Sequence, residues 1–98
     1  MTATNNALGF AVTITSTGVP QQISTEALYA AYVTVQNNGT HPMAVAKNST
    51  PAVGTAGIQL SPTAAYTWPS VTSRGHLLSQ IWIVGTAGDV AWVDGERY

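Results

Sequence analysis

The chain has 98 residues, 45% of them hydrophobic, and no cysteine. That length allows one domain burying roughly 60–70% of its unfolded surface, and that composition excludes a disordered chain and a disulfide framework. Only 7% of residues are charged, with a formal net charge of −1 and three basic residues, which excludes a nucleic-acid binder, because counterion release needs several phosphate contacts.

An average soluble domain carries roughly 25% charged residues. Thr, Ser, Asn and Gln take over the solvating role here, and proteins this close to neutrality associate readily. The composition therefore points to a subunit of an assembly.

Residues 1–8 are small and mostly polar and read as an extended N-terminal arm. They contain no basic region followed by an apolar run, and no apolar run in the chain reaches 18 residues. Neither a secretory leader nor a membrane span is expected. A single domain over 9–98 follows. Its first strand alternates, with Phe10, Val12 and Ile14 on one side and Ala11, Thr13 and Thr15 on the other. Gly18-Val19-Pro20 turns the chain, and Gln21–Ser24 reads as a short edge strand.

Leu28–Gln36 predicts a central strand with Ala31, Val33 and Val35 inward and Tyr32, Thr34 and Gln36 outward. Asn38-Gly39 signals a turn, after which Pro42–Lys47 returns with Met43 and Val45 inward. Gly57–Leu60 is short strand material ended by Ser61-Pro62. Ala64–Trp68 is extended up to Pro69, and Ser70–Gly75 is a polar connection. The last third predicts a hairpin: Ile81-Trp82-Ile83-Val84, then Gly85-Thr86-Ala87-Gly88, then Asp89–Val93. With Val84 opposite Asp89, the core face is Ile81, Ile83, Val90 and Trp92. The other face holds Trp82, Val84 and Val93, which is too apolar for open water. Val-Gly-Thr-Ala-Gly occurs at 53–57 and again at 84–88. The flanking residues do not repeat, so it marks tight turns rather than a solenoid. Short strands spaced by turn signals predict an all-β, antiparallel β-sandwich or small barrel.

No catalytic constellation is legible. Asp94 and Glu96 could in principle form a paired-carboxylate site, but their position beside Gly95 near the last residue reads as a solvated tail. His41 and His76 match no compact metal site. No serine lies in a nucleophile elbow, and neither Gly-Thr-Ala-Gly continues into a phosphate-binding helix. The sequons at Asn38 and Asn48 read as turn chemistry. No cofactor, metal or catalytic residue is expected.

Aromatic residues carry the remaining signal. Phe10 and Trp92 fit the core, whereas Tyr32 and Trp82 fall on outward faces. Three readings stand side by side. The opposite sheet or the arm covers these rings. They anchor an oligomer, with Tyr32, Tyr66, Trp68, Trp82, Val84 and Val93 as the interface. Or they stack on sugars, with Tyr66, Trp68 and Trp82 as the platform.

Three stretches carry a resemblance: Tyr32–Val45 with its Asn-x-Gly turn and Pro-apolar return, Gly57-Ile-Gln-Leu-Ser-Pro62, and Ile81–Val90 with Gly-Thr-Ala-Gly-Asp. Across roughly residues 30 to 93 the chain resembles small β-sandwich proteins of tailed-phage virions. Pro62-Thr63 stands where that group often has Pro-Gly. The resemblance implies a jelly-roll-like structural subunit, often trimeric, in head decoration, a head fibre or a tail fibre. The expected function is a capsid decoration (cement) protein: a homotrimer in the virion that bridges major capsid proteins on the outside of the head, the arm latching onto the shell. The alternative is a receptor- or carbohydrate-binding module of a fibre.

Overall fold

The computed structural model describes residues 7–70 and 75–97. The expected arm residues 1–6, most of the 70–75 connection and Tyr98 lie outside them. The fold is an all-β sandwich of two antiparallel sheets. In chain order the strands are β1 (Ala7–Thr13), β2 (Gln21–Gln22), β3 (Tyr29–Asn37), β4 (Met43–Ala46), β5 (Ile58–Leu60), β6 (Ala65–Trp68), β7 (His76–Leu77), β8 (Trp82–Val84) and β9 (Val90–Arg97), with one 3-10 turn at Leu78–Gln80. The first sheet has the order β1-β9-β3-β6, with β7 also pairing β3; the second has the order β2-β8-β4-β5. β1 starts at Ala7, so Ala7 and Leu8 belong to the sheet rather than to an arm. No described helix is long and apolar enough to cross a membrane.

The pairings are nested. β1 pairs β9, β2 pairs β8, β3 pairs β6 and β4 pairs β5. The chain is thus one long two-stranded ribbon, doubled at the 47–57 loop and wound so that alternate stretches fall in opposite sheets.

This winding corrects the expected closing hairpin. β8 and β9 do not pair; β8 lies between β2 and β4, and β9 between β1 and β3. Gly85–Asp89 is a corner between sheets. Its backbone hydrogen bonds go to the neighbouring β1–β2 corner instead of across a hairpin: Gly18 N–H to Gly85 O (3.0 Å), Gly88 N–H to Ile14 O (2.9 Å) and Ile14 N–H to Asp89 O (2.9 Å). A tight small-residue turn serves either geometry, so the local signal does not distinguish them. The last glycine of each Val-Gly-Thr-Ala-Gly copy takes a positive φ, +86° at Gly57 and +91° at Gly88, a region open to glycine at little cost. The Asn38-Gly39 turn is a second such corner, carrying β3 of one sheet into β4 of the other.

The core lies between the sheets. Val33, Val35 and Val93 from the first meet Met43, Val45 and Ile83 from the second, all fully buried, with Ile14 at 1%. Burying such a side chain contributes about 1.5–3 kcal/mol. Trp92 is not among them. β9 turns Ala91, Val93 and Gly95 inward, and Trp92 outward at 39% exposure. The opposite phase would have buried Asp94 and Glu96 unpaired, at far greater cost.

β3 is also out of the expected phase at its start. Ala30 pairs with Arg97 and Tyr32 with Glu96, so Ala31 is the extra residue of a bulge. Ala30, not Ala31, is fully buried as a result, while Val33 and Val35 keep the expected orientation.

At the β3–β4 corner, buried Asn37 holds three segments together. Its Nδ2 donates to His41 O (2.8 Å) and Leu60 O (2.9 Å), and its Oδ1 accepts from Gly39 N–H (2.8 Å). Asp89 Oδ2 accepts from His41 N–H (3.1 Å) and pairs with His41 Nδ1 (2.9 Å). The Gly-Thr-Ala-Gly-Asp stretch therefore ends on the residue that ties the two corners to each other.

Candidate functional site

The structure separates the six expected interface residues. Val93 is in the core, fully buried, because β9 takes the phase that excludes Asp94 and Glu96. Val84 sits outside the core cluster yet is 1% exposed. It pairs with Ala44, which pairs with Gln59 on the other side. Gln59 reaches from that row into the 52–57 loop: its Oε1 accepts from Gly54 N–H (2.7 Å) and its Nε2 donates to Ala52 O (3.1 Å) and Ala56 O (2.9 Å). Val84 and Ala44 are both buried within the single chain on the face that the sequence marked as too apolar for water. Neither valine offers a surface.

Trp68 is 8% exposed, part of the core cluster, and Tyr66 packs against that cluster. The two rings meet edge to face, with centroids 5.0 Å apart and planes at 80°, a favourable quadrupole arrangement. The sugar platform expected from Tyr66, Trp68 and Trp82 is therefore not formed: Trp68 is spent in the core. Tyr32 and Trp82 are half-buried. They lie in different sheets.

A feature absent from the sequence reading is the open side of the sandwich. β1 is the edge of the first sheet and β2, only two residues long, is the edge of the second. Seven consecutive residues of β1 carry no charge and no proline. Among the described residues no strand pairs its outer edge, where Thr13 O is met by a side chain, Gln21 Nε2 (3.1 Å), so the edge ahead of Thr13 lacks the usual protection against a further strand. Beside β1 and the 23–28 segment that follows β2, a cleft of about 420 Å³ is lined by Leu8, Phe10, Ile23, Leu28 and Leu78, with Ser24, Thr25 and Glu26 as its polar residues. Leu8 and Phe10 are only half-buried there. The sequence signal for this edge was present: an alternating strand followed by the expected short edge strand Gln21–Ser24, both without charge.

Other polar groups serve the fold. His76 is buried, and its Nε2 lies 2.7 Å from Pro69 O while its Nδ1 meets Lys47 Nζ. An ammonium only donates, so Nδ1 is the acceptor and the proton sits on Nε2. Burial lowers the Lys47 pKa from its ordinary 10.5. Asp94 and Glu96 belong to β9 and are exposed on its outer side, not in a tail. Among the described residues, no three His, Cys, Asp or Glu side chains come together to hold a metal ion. Compared with family models, curated proteins and solved structures, the chain matches none.

Proposed function

We propose that the protein is a structural virion subunit, a capsid decoration (cement) protein that trimerises and binds the outside of a tailed-phage head. The open side of the sandwich carries this reading. An uncharged seven-residue edge next to an apolar cleft offers a neighbouring subunit both backbone hydrogen bonds and a place for an apolar side chain. In a trimer this side of each protomer meets the next one, and Leu8 and Phe10 lose their remaining exposure.

Two further observations support it. The strand orders β1-β9-β3-β6 and β2-β8-β4-β5 agree with a jelly-roll reading of the sandwich. Thr63 takes a φ of +73° at the place where the resembled virion proteins often carry glycine.

Light scattering on the purified protein, together with its copy number per virion and its binding to isolated heads, tests the proposal. A trimer present in many copies is expected. Lysine at Ala11 and Thr13, both exposed on β1, should leave folding intact and give monomers. A stable monomer with no affinity for heads refutes the proposal.

A further inference from the structure

We infer that the outer face of the first sheet is a binding site for a neutral oligosaccharide chain, centred on Trp92. This does not depend on how the protein assembles. The cross-strand register sets out the face row by row. Trp92 lies between Ala11 and Gln36, Asp94 between Gly9 and Thr34, and Glu96 between Ala7 and Tyr32. Thr67 continues the middle row beyond Thr34.

Trp92 is the most exposed aromatic side chain among the described residues. Its indole extends over Gly9, where an added Cβ would come 3.0 Å from Cζ2. With Gly9, Ala11 and Thr13 on the β1 side, the ring has no large neighbour there among the described residues and can keep one face open. A pyranose presents a flat C–H face that stacks on such a ring, while its hydroxyls at the rim need hydrogen-bond partners.

Those partners lie alongside. Asp94 uses Oδ1 for Gly95 N–H (2.8 Å), leaving Oδ2 without a protein partner among the described residues. Gln36 uses Nε2 for Thr63 O (3.1 Å), leaving its Oε1 likewise. Both are acceptors next to the indole, suited to donating hydroxyls. The Thr34 and Thr67 hydroxyls, 2.7 Å apart, extend the polar row.

Tyr32 offers a second ring two rows away. Four residues of strand separate Trp92 from Glu96, the partner of Tyr32, or about 13 Å at ~3.3 Å per residue. Two rings with a polar strip between them fit a chain of sugars better than a single one. A protein partner is disfavoured, because Asp94, Glu96, Gln36 and the threonines would have to be desolvated around one tryptophan. The two carboxylates also choose among glycans: they repel uronic acids and sulfated or phosphorylated sugars, and accept neutral ones.

The test is calorimetric titration of the full chain with maltohexaose, cellohexaose and chitohexaose, with polygalacturonate as the anionic arm. Saturable binding of at least one neutral hexasaccharide is expected. Trp92→Ala should weaken it about tenfold or more, and Asp94→Asn, which still accepts the Gly95 N–H, should weaken it with an unchanged melting temperature. Tyr32→Ala should weaken hexasaccharide more than trisaccharide binding. No binding of any neutral hexasaccharide up to millimolar concentration overturns the proposal. So do binding that survives Trp92→Ala, polygalacturonate binding as tight as the neutral chains, and dissociation of the oligomer by Trp92→Ala.

Discussion

Gly95 faces the carbonyl oxygen of Tyr32 so closely that a Cβ at position 95 would overlap it. The approach lies beside the bulge at Ala31, where the β3–β9 register shifts. Position 95 points inward in the phase of Ala91 and Val93, yet the bulged strand already occupies its side-chain space. Gly95→Ala should therefore destabilise by about 3 kcal/mol, at the upper end of overpacking effects. A urea midpoint within error of wild type would rule this packing out.

Thr63 is the converse case, a β-branched residue at a φ of +73°. The left-handed region costs an L-residue about 1–2 kcal/mol, and glycine loses about 0.5–1 kcal/mol in unfolded-state entropy. Thr63 N–H donates to Asn37 O (2.8 Å) and Thr63 O accepts from Gln36. Both are backbone groups that glycine retains. Thr63→Gly should raise stability by up to about 1 kcal/mol, or roughly 4–8 °C in Tm. A lower Tm would mean that the threonine side chain contributes more than its strain.

Asn37 makes three buried hydrogen bonds through its side chain. Asn37→Ala leaves the His41 and Leu60 carbonyls short of a donor, and should cost about 2–4 kcal/mol. Asn37→Asp replaces the two donors by a carboxylate among carbonyl oxygens. That carboxylate would be held above its ordinary pKa in the folded state. Its contribution is therefore intact below about pH 4 and lost as pH rises. Thermal melts should find N37D closer to wild type at pH 4 than at pH 7. An unchanged gap would contradict the assignment.

Lys47 yields an alkaline prediction. Desolvation places its folded pKa below 10.5. Between the folded and unfolded values the unfolded chain binds more protons, so stability rises with pH across that window; below it both states are protonated and the penalty is constant. Lys47→Met removes the effect. The wild-type midpoint minus that of K47M should shift in favour of wild type as the pH rises towards 10.5. A flat difference would show that Lys47 is not desolvated.

What the sequence revealed and hid follows from range. Strand existence and the inward side of Val12, Ile14, Val33, Val35, Met43 and Val45 were legible because alternation is local. The destination of a turn was not. Gly85–Gly88 looks the same whether the chain folds back on itself or crosses to the other sheet, and its hydrogen-bond partners lie 70 residues away, as with Ala87 N–H and Thr17 Oγ1. Trp92 could have been placed: the phase that buries it also buries Asp94 and Glu96. Reading those two as a tail removed the constraint. The bulge at Ala31 had a trace in Gly95, but nothing local links the two positions. The outer face at Val84 was expected to need a partner subunit, yet Val84 is already buried within the single chain, and no periodicity reports that.

The nested ribbon also orders events in time. β9 leaves the ribosome after the other eight strands described, yet it lies between β1 and β3 and pairs with both. Until it emerges, β1 lacks the strand with which it pairs and β3 lacks its neighbour on that side. A chain truncated before Val90 would lose the attachment of β1 along with β9. Folding thus waits on β9 and must close the long loop between β1 and β9, and slow formation is expected of such a topology. Through all that interval the uncharged β1 segment is exposed in a crowded cell. The strand through which we propose assembly in the finished fold is thus the one most at risk of premature pairing before it.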